Sequence, residues 1–302
     1  MDDHDYAQHR GHAMAAGNRR RLLAVLVLTS AYLLAEVIGG LLTNSLALLS
    51  DAGHMLTDVA ALALALVALR FAARPPDPRR SYGYHRLEIL AALINGLTLL
   101  LIAAFVIYEA IRRLREPPEV QGMGLLLIAS GGLVINLAGA YILHHGHAHS
   151  LNVRAAFYHV MGDALGSLGA IFAGILILAF NWTIADPILA IGIALLIAAS
   201  AIGLVREAVD VLLEAAPPHV DTDELRAALL GMPGVIGIHD LHIWTLTTGL
   251  YALSCHVVVD CENFACVKLD EIRGLLHDKY SVPHMTVQLE TEELAEEEDI
   301  HL

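Results

Sequence analysis

The sequence predicts an α-helical polytopic membrane protein of six transmembrane helices, followed by a small α+β domain in water. Three observations carry that prediction. Hydrophobic residues make up 56% of the 302 residues and charged residues 17%, with a mean hydropathy of +0.59. The apolar residues fall in runs of about 20 or more, the length that crosses a bilayer core as a helix. The charge is uneven: residues 217–302 carry four Lys and Arg (Arg226, Lys268, Arg273, Lys279) against 16 Asp and Glu, and so hold −12 of the formal −14. No basic patch is present, so nucleic acid is excluded as a partner and the lipid bilayer is expected instead.

Residues 1–21, MDDHDYAQHRGHAMAAGNRRR, are too long and too acidic ahead of their arginines for a secretory signal, and read as a cytoplasmic N-terminal segment. The membrane domain, 22–212, holds apolar runs at 22–42, 45–70, 87–111, 122–143, 153–180 and 185–209. Basic residues in the short flanks set the orientation. Arg10, Arg19, Arg20 and Arg21, then Arg70, Arg74, Arg79, Arg80 and Arg86, then Arg154 and Arg206 make eleven on one side. Arg112, Arg113 and Arg115 stand alone on the other. A multi-pass protein of the cell (inner) membrane with both termini in the cytoplasm is expected.

The soluble domain, 213–291, alternates helical and extended patterns. HVDTDELRAALLGMPG opens on Asp221 with Glu224 three residues on and closes at glycine, the marks of a capped helix. GVIGIHDLHIWTL and YALSCHVVVD are β-rich runs joined by TTG, a hairpin signal. FACVKLDEIRGLLHDKY returns to helical spacing, and HMTVQLE alternates as a last strand. The order αββαβ predicts a ferredoxin/metallochaperone-like sandwich with helices on one face of the sheet. Residues 292–302 form an acidic tail expected to be disordered. Cys255, Cys261 and Cys266, an odd set, fit a reducing compartment rather than a disulfide framework.

Two runs contain the same polar constellation. SDAGHMLTD in the second span places His54 and Asp58 four residues apart, and FYHVMGDALG in the fifth places His159 and Asp163 likewise. Ser45–Leu46 and Ser150–Leu151 precede the two histidines by matching offsets. Residues i and i+4 share one helix face, so two facing helices bring two imidazoles and two carboxylates to one point. Each charge at the centre of a span costs roughly 2.5–3.5 kcal/mol on insertion scales. A divalent cation, or protons in its absence, offsets that cost. Imidazole with carboxylate suits four-coordinate zinc. Asp51, three residues before His54 and unmatched at Ala156, reads as a carboxylate that supports the ligands or meets the ion on its way in. Glu36, Asn95 and Asn136 read as interhelical hydrogen-bonding groups.

These residues make the chain resemble the cation diffusion facilitator family, the zinc-exporting branch in particular. SDAGHMLTD, RSYGYHRLE and HDLHIW carry the resemblance, which covers nearly the whole chain. It implies a homodimer with one transport site per protomer, exporting Zn²⁺ against inward proton flow, with Cd²⁺ or Co²⁺ as further substrates. Some members bind another metal through histidines in the loop after span two. Here Asp77 remains, but Arg80 and Tyr84 stand at the histidine positions. The resemblance also implies a salt bridge between Arg86 and Glu214 that joins membrane and soluble parts.

Other histidines extend the metal theme. His144, His145, His147 and His149 form a His-rich tract between spans four and five, either a collecting site or a solvated linker. Strand parity puts His256 and Glu290 on the more polar faces of their strands. The resemblance adds His239 from HDLHIW to make a regulatory Zn²⁺ site of His239, His256 and Glu290. His242 is the alternative to one member, or a hydrogen-bonding group beside Trp244, and Cys255 is either a packing residue or a fourth ligand.

The expected activity is secondary active export of Zn²⁺ in exchange for protons by alternating access, and not enzymatic catalysis. The competing readings use the same His/Asp site in a membrane metalloenzyme or in a metal-gated channel or sensor. No HExxH motif is visible, and four protein ligands leave no vacancy for a substrate water. A channel differs in dissipating gradients rather than building them.

Overall fold

A computed structural model describes residues 3–72, 74–144, 151–260 and 269–293; the side chains up to residue 22, those of 61–63, 65–66, 68–69 and 72, and those of 151–156 are outside the description. His145, His147, His149, Cys261, Cys266 and most of the acidic tail therefore lie outside the described residues. The elements are α1 Asp3–Thr43, α2 Leu46–Ala72, α3 Leu87–Arg115, α4 Gly122–His144, α5 Leu151–Phe180, α6 Ala185–Leu212, α7 Thr222–Leu230, β1 Val235–Thr247, β2 Leu250–Val259, α8 Leu269–Asp278 and β3 His284–Glu290. Two compact units divide the chain, 1–63 with 94–203 and 64–93 with 204–302. The second unit thus takes in the ends of α2, α3 and α6 along with the soluble domain, across the boundary expected at 212.

In the first unit, six long helices follow the predicted runs. Among the described residues, five of them (all but α2) are long and apolar enough to cross a membrane. Large apolar side chains such as Leu34, Leu41, Phe105, Leu127 and Phe172 point outward and more than half exposed, as lipid-facing surfaces require. Buried positions are mostly small: Ala103, Ala110, Ala190, Ala194 and Ala201 pack α3 on α6, and close backbone approach replaces the hydrophobic effect between helices in lipid. Tyr32 of α1 fits against Gly132 of α4, where a Cβ would meet its ring and hydroxyl. α1 begins at Asp3, well before the span expected from residue 22. A helix already nucleated by its membrane portion continues through Ala-rich sequence at little cost, despite Gly11 and Gly17.

One end of this unit is knotted around the α1–α2 turn. Asn44 there adopts a left-handed φ of 55°. Arg113, near the end of α3, donates to Asn44 O at 2.7 Å and to Asn44 Oδ1 at 3.1 Å. Gln121 N, just before α4, donates to Thr43 O at 3.0 Å. Asp186, in the first turn of α6 and fully buried, accepts from Ser45 Oγ, from Leu46 N at 2.7 Å and from Ala47 N at 3.3 Å. It caps the otherwise unpaired first amides of α2 from a distant helix.

The second unit builds the αββαβ order. Asp221 caps α7, accepting from Asp223 N and Glu224 N at 2.9 and 3.1 Å. β1 and β2 pair antiparallel across Thr248–Gly249, with Gly249 at φ 75°, and β2 pairs parallel with β3. A parallel pair needs a crossover, which α8 supplies. Leu225 and Leu229 of α7 and Ile272 and Leu276 of α8 share one core with Leu253, Cys255, Val257 and Val259 of β2. Both helices thus cover the same face of the sheet.

Candidate functional site

Helical spacing and the capped start of α2 aim His54 and Asp58 at α5. His54 Nε2 lies 3.6 Å from Asp58 Oδ2, which also reaches His159 Nε2 at 3.2 Å. His159 Nε2 in turn lies 3.7 Å from Asp163 Oδ2. The two imidazole rings meet edge to face, 5.7 Å between centroids. His54, His159 and Asp163 each offer a ligand atom within 4.8 Å of the others. Tetrahedral zinc with bonds near 2.1 Å has ligand–ligand edges of about 3.4 Å. The histidine–carboxylate separations already bracket that value. His54 Nδ1 is buried with no hydrogen-bond partner among the described residues.

The polar surroundings continue away from this cluster. Asp51 and Glu36 are both buried. Tyr32 donates to Ile128 O at 2.7 Å beside them. Asn136 Nδ2 donates to Ser167 Oγ at 3.4 Å and links α4 to α5. Tyr32 and Asp186 escape the sequence reading. Asp186 leaves a signal, an acidic residue followed by Pro187 at a helix start, but that pattern names no partner.

A second cluster sits on the sheet. His239 Nε2 lies 2.8 Å from Glu290 Oε2, and His256 Nδ1 lies 2.7 Å from Glu290 Oε1. His239 pairs directly with His256 across β1 and β2, their rings 4.9 Å apart. Glu290 is fully buried, and Gln288 Nε2 donates to it at 2.7 Å. The three can offer ligand atoms within 4.8 Å of one another. Burial, the largest single influence on His239, pushes its proton off, but the carboxylates of Asp240 and Glu290 outweigh it and hold the imidazole above its usual range. The sign follows. A raised folded value stabilises the metal-free protein below the ordinary imidazole range and loses that contribution as pH rises through the folded value. In thermal melts of metal-free protein, His239→Ala is expected to be more damaging at about pH 6 than at about pH 9. Equal damage at both would disprove the pairing. A metal ion held by these three residues would bind about tenfold more weakly for each pH unit of acidification and each proton displaced.

The alternative member and the possible fourth ligand go elsewhere. Cys255 lies in the apolar core on the opposite face, and burial pushes its thiol up to about 11. His242 lines a cleft of about 520 Å³ with Trp244, Thr222, Ser254 and Glu214. In the loop after α2, Asp77 accepts from Arg79 N at 2.8 Å, Arg80 N at 3.0 Å and the Tyr84 hydroxyl at 2.9 Å. These bonds, the one from Arg79 N foremost, hold its carboxyl below the usual range. Arg80 and Tyr84 thus occupy the carboxylate that a loop metal would need. Arg86 Nη2 meets Glu214 Oε1 at 2.7 Å, half-exposed on both sides. His144 packs beside Phe157 with the rings tilted at 50° and their centroids 6.2 Å apart.

Known proteins are similar to this chain in sequence. The family described as the cation efflux transmembrane domain matches residues 22–213, and the cation efflux protein cytoplasmic domain matches 217–292. A zinc transporter ZitB of Pectobacterium atrosepticum is 46% identical over 91% of this chain and 86% of its own length. A cadmium, cobalt and zinc/H(+)-K(+) antiporter of Bacillus subtilis is 43% identical over 91% and 90%. A solved structure, the metal-bound C-terminal domain of the CzcD transporter from Cuprividus metallidurans, is 43% identical, covering 24% of this chain and 99% of that one with a TM-score of 0.22. With both parts matched in order over almost its full length, the chain belongs to the cation efflux family, the cation diffusion facilitators, which are transporters and not enzymes.

Proposed function

We propose that the chain exports Zn²⁺ from the cytoplasm in exchange for protons, with Cd²⁺ and Co²⁺ as further substrates, and works as a homodimer in the inner membrane with both termini cytoplasmic. One observation supports this above the others: the two HxxxD pairs, 105 positions apart in the chain, meet where His159 Nε2 lies 3.2 Å from Asp58 Oδ2 and the His54 and His159 rings stand 5.7 Å apart. His54, Asp58, His159 and Asp163 are the ligands in this reading. Two carboxylates and a dication sum to zero, which relieves the cost of charge at membrane depth. Protons compete for the same lone pairs, because a ligating imidazole or carboxylate must be deprotonated. Zinc loads from the cytoplasm and displaces protons. Rocking of the helices exposes the site outward, where protons displace zinc.

Asp51 supports the ligands from beside them rather than joining them. His239, His256 and Glu290 hold a regulatory zinc in the soluble domain, whose occupancy biases the transport equilibrium. The His-rich tract of His144, His145, His147 and His149 collects zinc near the cytoplasmic mouth. The Arg86–Glu214 pair ties the α3 start to the end of α6; exposed as it is, it contributes at most about 1 kcal/mol.

Purified protein in sealed vesicles with an imposed pH gradient should accumulate zinc beyond its electrochemical equilibrium. Zinc that only runs down its own gradient, whatever the pH difference, would mark a channel and end the exchange proposal.

A further inference from the structure

The arginines at the membrane end of the second unit fall into two groups. Arg86 meets Glu214 Oε1 at 2.7 Å, and Arg80 meets Asp77 Oδ2 at 3.4 Å. Arg70, Arg74, Arg79 and Arg206 are exposed, and among the described residues none of them joins an ion pair. Carboxylates are not scarce nearby. Asp210 stands one turn after Arg206, the spacing of a helical ion pair, yet the two do not close. Asp77 accepts from the Arg79 amide at 2.8 Å, but its other bonds go to the Arg80 amide, the Arg80 guanidinium and the Tyr84 hydroxyl. The Arg79 guanidinium takes no part.

Arg74 and Arg79 are nonetheless held in place. Pro75, Pro76 and Pro78 fix φ at three of the four positions between them. Arg80 N donates to Asp77 O at 2.9 Å and closes a turn with Arg79 inside it. The Arg74 amide donates to Phe71 O at 2.9 Å, and its guanidinium carbon lies 4.3 Å from the Phe71 ring centroid, a cation–π contact. Side chains presented this way lose little freedom on meeting a ligand.

The four also stand where the membrane helices end. Arg70 lies in the last turn of α2, Arg74 and Arg79 in the link to α3, and Arg206 six residues before the end of α6. A long side chain at such a position reaches the headgroup layer, and the planar guanidinium fork matches phosphate oxygens. Arg70 gains from the α2 dipole in any case, so Arg74, Arg79 and Arg206 carry the inference.

We propose that Arg74 and Arg79 bind the phosphodiester of an anionic phospholipid at the edge of α2, and that Arg206 meets the same headgroup layer from α6. Charge complementarity selects this partner. Residues 217–302 hold −12 of the formal charge and are repelled by an anionic surface, so the attraction falls to these arginines.

Phosphatidylglycerol and phosphatidylcholine with the same acyl chains test it, each added to full-length protein in a neutral detergent and counted by native mass spectrometry. Phosphatidylglycerol is expected to bind about 25-fold more tightly, at about fivefold for each of Arg74 and Arg79. Arg74→Gln with Arg79→Gln should remove most of that advantage and leave phosphatidylcholine unchanged. Arg74→Lys with Arg79→Lys keeps the charge and should retain most of it. Arg112→Gln should change nothing, because that guanidinium is already paired with Glu109 at 2.8 Å. Parent protein that binds both lipids alike overturns the proposal, as does a preference that the double glutamine variant keeps in full. Glycerol phosphate carries the phosphate without the chains and should not displace the lipid at equal concentration; displacement would mark a site for a soluble anion instead. If phosphatidylglycerol gains its advantage only after residues 294–302 are removed, the chain's own acidic end is the occupant and the lipid proposal falls.

Discussion

Replacing Asp163 with alanine is expected to abolish zinc export from vesicles while leaving the dimer intact, and His54→Ala should do the same. A four-ligand zinc site in a small peptide is worth about 10–16 kcal/mol in apparent binding energy, or roughly 3 kcal/mol per ligand. At 1.4 kcal/mol per tenfold, one lost ligand weakens zinc binding on the order of 100-fold. Asp163→Ala carries a second penalty. It leaves His159 with only Asp58 as its carboxylate neighbour among the described contacts, and the loaded site then keeps a net positive charge in the membrane. Zinc flux measured with a fluorescent indicator inside vesicles gives the readout, with size-exclusion chromatography as the control for assembly. Transport at the parent rate by either variant would remove that residue from the ligand set. The two variants together test both half-sites, since His54 comes from α2 and Asp163 from α5.

Asp186→Ala is expected to produce the second large effect, this time on the fold. The carboxylate is fully buried and takes up three donors at the start of α2. Its removal orphans Ser45 Oγ and two backbone amides in a low-dielectric setting, at a cost of about 3 kcal/mol. Asp186→Asn keeps one acceptor oxygen and should fall between the parent and alanine. Apparent melting temperature in detergent is the direct measure, and zinc flux should drop with it, because the start of α2 sets the rotation of His54 and Asp58. An alanine variant that melts with the parent would show that water or another group satisfies those donors.

How far such features are legible in sequence depends on how local they are. The HxxxD pairs declare themselves because one helical turn is enough to put both groups on one face. Their meeting across α2 and α5 needs the repeat as well as the turn. His256 and Glu290 share a face by strand parity alone, since β2 and β3 pair without interruption from Ala252 to Val258. His239 is different: β1 shifts register between His239 and His242, so parity along that strand misleads and only the family resemblance supplies the residue. The Ser45–Asp186 contact spans 141 residues, and no periodicity reports it. The hydrogen bond that Thr247 Oγ1 donates to Glu88 is equally invisible, because both residues read as ordinary polar positions at element ends. The extension of α1 back to Asp3 is missed for another reason: hydropathy marks where a span must lie and says nothing about how far a helix persists beyond it.

The gathering of helix ends around Thr43–Ala47 has a mechanical consequence. Three other helix ends, those of α3, α4 and α6, hang on one turn of backbone, so they cannot fan apart there without breaking several hydrogen bonds at once, the three to Asp186 among them buried. A swing that alternately uncovers the ions would therefore have to tilt these helices about this point rather than part them there.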